Sequence, residues 1–327
     1  AKEFALKFPL MTKAIPKDAH PALEQWQAHI RESDIPLYSW PAVDLKDLKE
    51  EKMPFRVVPQ LHREFDKLIE MHYAEPLFEA PTGLAMRAQL VAKSKTEKRF
   101  CVNGSMQKKV MEVGTYPMPH IRSILAFVSA FPFRSKIDMK HGYYNFEVHP
   151  DSRKWTVTIG GGRAIVWRKL VQGFASSGAF FQYAVCKLLG DYVWSICAVY
   201  LDDIIVVGKS VAECAHNVML IMSRLHEFRF RINFAKCVFT PSTDIDFLGC
   251  SLRGTLVCPG PKVSTMLSKI KPPHLQLTPK GQRHHLHVFL GCCAFVMQHC
   301  PGLKQTLAPL YLSVASNPFV YGDTEKR

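Results

Sequence analysis

Apolar residues recur at two spacings along this chain, every second position over short runs and every third or fourth over longer ones. That pattern predicts strands interleaved with amphipathic helices. Leu61, Phe65, Leu68 and Met71 stack on one face of a predicted helix over residues 59–72. Residues 90–102 read as a β-hairpin whose two apolar ends flank the basic stretch Lys93-Ser94-Lys95-Thr96-Glu97-Lys98-Arg99. A helix is predicted over 119–129, strands over 134–139, 144–148, 155–159 and 163–167, and helices over 179–189 and 212–228. Between the last two helices, residues 196–207 form two apolar runs separated by Asp202 and Asp203, the pattern of a tight hairpin with acids at its turn. From Pro259 onward the chain reads as mostly helical, with helices over 261–271 and 282–298 and a break at Pro272-Pro273.

Residues 1–56 break this rhythm. Pro9, Pro16, Pro21, Pro36, Pro41 and Pro54, together with the charged stretch 43–53, predict an extension wrapped on the domain, with one helix over 21–31 that spaces Leu23, Trp26 and Ile30. The longest apolar run, 196–208, is interrupted by Asp202 and Asp203, so no membrane-spanning helix is expected. Residue 1 is Ala and no apolar leader opens the chain, so a piece of something longer is expected and targeting is unreadable.

With 327 residues, 47% of them hydrophobic, the chain has ample material for a packed core, which excludes wholesale disorder. Lys and Arg number 42 against 28 Asp and Glu, a net charge of +14 that biases the surface toward a polyanion. Nucleic acid is the commonest such partner, and a solvated basic surface is the plain alternative. Most cysteines, among them Cys186, Cys197, Cys237, Cys250 and Cys292, sit in apolar runs where a free thiol behaves as a small hydrophobe. A reducing compartment, cytoplasm or nucleus, is the expectation.

Two adjacent Asp at the turn of an apolar hairpin hold charge near a hydrophobic core, which is costly unless a cation compensates it. Taken alone, Asp202 and Asp203 also read as ordinary turn residues. A third carboxylate, Asp138, closes another apolar strand, and two strand-end acids from adjacent strands make a divalent-cation clamp. Mg²⁺, with Mn²⁺ as a substitute, suits carboxylate oxygens shared with substrate phosphates, and a two-metal site stabilises both oxygens of an in-line displacement at phosphorus. His284, His285, His287, Cys292, Cys293, His299 and Cys300 are zinc-friendly residue types, but their spacing fits no paired-ligand framework.

Five motifs in one order identify a resemblance. Ile137-Asp138-Met139-Lys140-His141-Gly142-Tyr143, Leu170-Val171-Gln172-Gly173-Phe174, Tyr200-Leu201-Asp202-Asp203, Phe234-Ala235-Lys236-Cys237 and Phe247-Leu248-Gly249 resemble the successive motifs of reverse transcriptases of LTR retroelements and retroviruses. The likeness covers roughly residues 57–315, with Val288-Phe289-Leu290-Gly291 and Leu307-Ala308-Pro309-Leu310 similar to the segments beyond the primer grip in gypsy-type elements. His149-Pro150-Asp151-Ser152-Arg153-Lys154 and Thr240-Pro241-Ser242 are most similar to DIRS-like elements.

The resemblance implies an α+β right-hand polymerase fold. Its parts would be an N-terminal extension over 1–56, fingers and the start of the palm over 57–135, a palm with an antiparallel sheet over 136–254, and a helical thumb with the start of a connection over 255–327. It implies Asp138 and Asp202 as ligands of Mg²⁺, helped by the Met139 carbonyl, with Asp203 in support. Arg99, and Lys93 or Lys95, would face the triphosphate of the incoming nucleotide. Tyr143 would exclude a ribose 2′-hydroxyl or, alternatively, merely pack in the sheet. Gln172 would contact the nucleotide, Lys236 would be a general acid or a counter-charge, and Phe247, Leu248 and Gly249 would form the primer grip. The implied partners are an RNA template, a DNA primer and its hybrid, and deoxynucleoside triphosphates; no ribonuclease H domain is readable in the chain, and one, if it exists, would lie on a longer polyprotein.

Three departures stand out. Val102-Asn103-Gly104-Ser105-Met106-Gln107-Lys108 replaces a segment that normally carries an acid and an arginine, and Val171 and Gly178 each stand where the family has proline. These keep a second reading open, a catalytically degenerate module that binds RNA or a protein assembly. A third, an RNA-templated RNA polymerase, is disfavoured by Tyr143 and by Gln172-Gly173-Phe174.

Overall fold

A computed structural model describes residues 55–78, 85–92, 97–105, 116–174, 176–269, 278–297 and 302–316. The expected helix over 21–31 and the hairpin tip with Lys93 and Lys95 lie outside the described residues. The described chain divides into two units, the first formed by residues up to 119 with 136–206 and 216–239, the second by 120–135, 207–215 and 240 onward.

The first unit opens with helix α1 (Val58–Glu70), started by Pro59 in its first turn and buried along Leu61, Phe65 and Leu68, one helical face. Strand β1 (Ala74–Leu77) follows, then the hairpin of β2 (Met86–Ala92) and β3 (Lys98–Asn103), paired antiparallel from Arg87↔Asn103 to Ala92↔Lys98. Helix α2 (Ile121–Ser129) belongs to the second unit and leads into β4 (Phe133–Asp138). Strands β5 (Thr158–Gly160) and β6 (Arg163–Trp167) complete a five-stranded sheet in the order β1-β6-β5-β2-β3. Leu61, Phe65, Met86, Ile165 and Trp167 form its core, and the Trp167 indole N–H donates to Thr158 Oγ1 at 2.8 Å.

Helix α3 (Ser177–Leu189) and the hairpin of β7 (Cys197–Tyr200) and β8 (Asp203–Gly208) come next. They are followed by α4 (Val211–Glu227) and β9 (Val238–Ser242), and the four-stranded sheet runs β7-β8-β4-β9. Its core gathers Ile137, Phe146, Phe181, Val185, Leu188, Ile204, Val206, Ile221 and Leu225. At about 1.5–3 kcal/mol for each fully buried large apolar side chain, this cluster holds the sheet and its helices together.

The second unit adds a meander of β10 (Asp244–Phe247), β11 (Cys250–Arg253) and β12 (Leu256–Pro259), then helices α5 (Pro261–Lys269), α6 (Pro279–Val296) and α7 (Leu303–Ala315). Thr278 caps α6 by accepting from the Gly281 N–H at 3.3 Å, with Pro279 in the first turn. Arg283 donates to the carbonyls of Val314 and Ser316, closing the C-terminal end of α7.

Several sequence expectations are corrected. Residues 144–148 are not a strand: Gly142–Asn145 is a 3₁₀ turn, held by Asn145 Nδ2 donating to the Gly142 carbonyl at 3.0 Å. Its apolar pattern arises because Tyr143 and Phe146 pack in one core and Tyr144 against the other. Residues 155–159 split into a 3₁₀ turn, Lys154–Thr156, and β5. The β10–β12 meander, β1 and α7 are additions that the apolar spacing does not reveal. The described cysteines are free thiols, and no described helix is long and apolar enough to cross a membrane.

Candidate active site

The site is built on facing strand ends of the four-stranded sheet. Asp138, 8% exposed, closes β4, and its carbonyl accepts from the Asn233 N–H at 2.8 Å while its own N–H points at Cys237 Sγ, 3.3 Å away. The β7–β8 hairpin reverses through Leu201 and Asp202, with Tyr200 paired to Asp203. Leu201 takes the left-handed conformation, φ 53°. The Met139 N–H donates to the Asp202 carbonyl at 3.1 Å, so backbone joins the two acid-bearing strand ends directly.

Three carboxylates so close repel one another, and two lysines draw two of them off. Lys136, two residues before Asp138 and on the same strand face, sits 2.9 Å from Asp203 Oδ1. Lys236, largely exposed, reaches Asp138 Oδ2 at 3.5 Å. Asp202 keeps no such partner close among the described residues: burial pushes its carboxyl above the usual range, Asp203 and Asp138 push it the same way, and a backbone hydrogen bond and Lys236 oppose them. Among the described residues no group of three His, Cys, Asp or Glu side chains is gathered into a cation cage. The donor set that does converge, Asp138 with Asp202, is hard carboxylate oxygen in mutually unfavourable charge, which suits Mg²⁺.

Tyr143 lies beside this pair. Its ring stacks on Phe181 at 4.3 Å between centroids, 12° from parallel, and its hydroxyl is pushed up to about 12 by burial and by Asp202. Gln172 is exposed on the loop after β6, and Gly173 lies so close to β3 that an added Cβ would fall 2.1 Å from the Val102 carbonyl oxygen. Arg99 is exposed on β3. Phe247, 1% exposed, ends β10, and Leu248 and Gly249 make the two-residue turn into β11 with φ 48° and 80°. That pair of positive φ values is the geometry a right-twisted hairpin favours.

Sequence reasoning misses Lys136, Cys237 and Gln182. Gln182 is 1% exposed on α3 and touches the acid-bearing turn. Its signal is one amide on the buried face that spaces Phe181, Ala184, Val185 and Leu188.

Residues 62–252 match the family described as Reverse transcriptase (RNA-dependent DNA polymerase). The chain belongs to that family. It is 28% identical over 231 residues to the Transposon Tf2-3 polyprotein of Schizosaccharomyces pombe and 23% identical over 283 residues to Polyprotein P3 of Commelina yellow mottle virus. These matches cover 69% and 86% of this chain but 16% and 15% of those polyproteins. In fold it is similar to the foamy viral protease-reverse transcriptase in complex with double-stranded DNA, at TM-score 0.75 and 18% identity over 100% of this chain and 58% of that one. The foamy viral protein with an RNA/DNA hybrid gives TM-score 0.71 at 19% identity, over 98% and 43% of the two chains. The family and the fold together define the class, a reverse transcriptase with the right-hand polymerase fold.

Proposed function

We propose that the chain synthesises DNA on RNA and DNA templates, joining a primer 3′-hydroxyl to the α-phosphate of a deoxynucleoside triphosphate. The observation that carries this reading is the pairing of Asp138 and Asp202 on strand ends held together by the Met139-to-Asp202 hydrogen bond. The two carboxylates would hold a pair of Mg²⁺ ions, which supply charge stabilisation to the attacking and leaving oxygens.

The remaining work falls to side chains of this protein. Lys136 neutralises Asp203 and so leaves Asp138 and Asp202 as the carboxylates for the metals. Lys236, already at Asp138, is an exposed cation suited to the charge on departing pyrophosphate. Tyr143, pinned by its stack on Phe181, offers a rigid edge against which a ribose 2′-hydroxyl would clash, giving preference for deoxynucleotides. Gln172 and Arg99, both exposed, are free to meet base and triphosphate, and Lys93 or Lys95 would add a second cation for the triphosphate. Phe247, Leu248 and Gly249 would support the primer end. Residues 57–135, 136–254 and 255–327 would then act as fingers, palm and thumb, with the net charge of +14 gripping the hybrid through its phosphates. The related foamy viral enzyme, captured with an RNA/DNA hybrid, supports that choice of partner.

The altered segment after β3 still builds a turn that supports the nucleotide loop. Asn103 Oδ1 accepts from the Ser105 N–H at 2.9 Å, and the Gly104 N–H donates to the Gly173 carbonyl at 3.2 Å. Extension of a DNA primer on an RNA template with Mg²⁺ and four deoxynucleotides tests the reading, with Asp202→Asn alongside. Extension by the wild type alone is expected. A folded wild type that binds the hybrid and extends nothing overturns the polymerase and leaves the binding module.

A further inference from the structure

Gln182 is a buried amide in the middle of an apolar helix face, and each end of that amide meets the catalytic hairpin. Its Oε1 accepts from the Leu201 N–H at 2.6 Å and its Nε2 donates to the Val199 carbonyl at 3.0 Å, with Cys186 Sγ 3.2 Å from the same nitrogen. The orientation is unambiguous, because a backbone N–H only donates and a carbonyl only accepts. Leu201, the residue so held, has φ 53°, a conformation that a leucine avoids because its Cβ crowds the following carbonyl. Asp202 is the next residue. A leucine in that conformation persists only where the surroundings over-determine it.

We propose that Gln182 is the positioning residue of the catalytic turn. It bridges the two residues on either side of Tyr200, holds Leu201 left-handed, and thereby sets where the Asp202 carboxylate stands relative to Asp138. Ordinary core packing on α3 needs an apolar side chain at this place, as at its neighbours Phe181 and Val185. An amide is needed only if the two backbone groups it satisfies must stay where they are. The inference rests on the polymerase reading for its kinetic consequence, although not for the hydrogen bonds themselves.

The test is Gln182→Met, close to isosteric and unable to make either bond. The maximal extension rate is expected to fall about 10- to 100-fold, the scale of a small misplacement at a reacting centre. The hybrid Kd should stay within about twofold, since the basic surface that grips its phosphates has not moved, and the nucleotide KM should change less than the rate. The Leu201 amide, protected from hydrogen exchange in the wild type, should exchange faster in the variant. In a Leu201→Gly background, where the left-handed conformation is free, the same substitution should cost less of the rate. Leu201→Val, for which that conformation is harder still, should reproduce the kinetic signature with Gln182 in place, and it decides the matter if Gln182→Met does not fold. An unchanged rate, an unchanged Leu201 exchange, or a rate that falls together with hybrid binding and folded fraction overturns the proposal. A wild type that extends nothing overturns the polymerase reading instead, and Leu201 exchange still judges the clamp.

Discussion

The Lys136 ammonium lies 2.9 Å from Asp203 Oδ1, both side chains less than a third exposed, which gives the two adjacent aspartates of the hairpin different charge surroundings. Asp203 has a resident cation of its own; among the described residues Asp202 does not. Asp202→Asn and Asp138→Asn are expected to abolish extension, whereas Asp203→Asn should retain a measurable rate. Losing one ligand charge removes several kcal/mol of stabilisation, and at 1.36 kcal/mol per decade the gap between the two classes should be about a thousandfold. Single-turnover extension by the three variants checks it, and equal loss in all three sinks the division of roles.

Arg134 is a guanidinium with no exposed surface in the second unit. It donates from Nε to the Val128 carbonyl at 2.8 Å, from Nη1 to Thr243 at 3.0 Å and from Nη2 to Gly254 at 2.6 Å. One planar fork thus ties the end of α2 to the residue before β10 and to the β11–β12 turn. Arg134→Met leaves one buried and two part-buried carbonyls without their donor and should cost about 2–4 kcal/mol by chemical denaturation. Arg134→Lys keeps the charge but cannot span the fork, so most of that loss should remain. A lysine variant as stable as the wild type would show that charge alone suffices.

The hairpin of Asp202 is legible in the sequence because two acids inside a long apolar run leave few other arrangements. The meander over 244–259 is not, because its strands are four residues long and its tight turn uses Leu248, an apolar residue that masks the positive φ its position demands. Helix α7 is hidden by Pro309, which reads as a breaker yet lies inside it. The turn Gly142–Asn145 imitates a strand because its rings serve two cores. The clamp of Gln182 and the pairing of Lys136 depend on which strands become neighbours, and local spacing does not encode that.

Glu147 and Lys169 face each other across an isolated bridge, 2.9 Å apart, where the apolar pattern alone predicts a strand. Burial pushes the Glu147 carboxyl up, but the Lys169 hydrogen bond and charge, with Arg153 and Arg168, hold it on balance below the usual range. A carboxyl lowered by folding adds stability that is present above its unfolded pKa of about 4.3 and is lost as pH falls through the folded value. Lys169→Met should therefore be less stable than the wild type near neutral pH, by under about 1 kcal/mol given the solvent exposure of the pair. The two should converge in acid. Thermal unfolding from about pH 7 down to about pH 3 spans that window, and a constant gap across the range would assign the loss to packing.

Gly173 and Gly178 stand five residues apart and predict opposite responses to the same substitution. Gly173 has φ 111°, and a Cβ there would lie 2.1 Å from the Val102 carbonyl oxygen and 3.0 Å from its carbon, backbone that cannot turn aside. Its carbonyl also accepts from the Gly104 N–H, inside the segment that departs from the family. Gly173→Ala must either force the loop off β3 or strain both, at about 2–4 kcal/mol. Because Gln172 rides on that loop, the nucleotide KM should rise while hybrid binding holds. Gly178, in the first turn of α3, has nothing within 4 Å of an added Cβ, so Gly178→Ala should be neutral or stabilise by up to about 1 kcal/mol. Val171, the other replacement for a family proline, is 2% exposed within the core of the five-stranded sheet. The departures at 171 and 178 are thus absorbed by packing and by open space, while the loop proposed to meet the nucleotide rests on Gly173 against Val102. An unimpaired Gly173→Ala would show that the loop is free of β3.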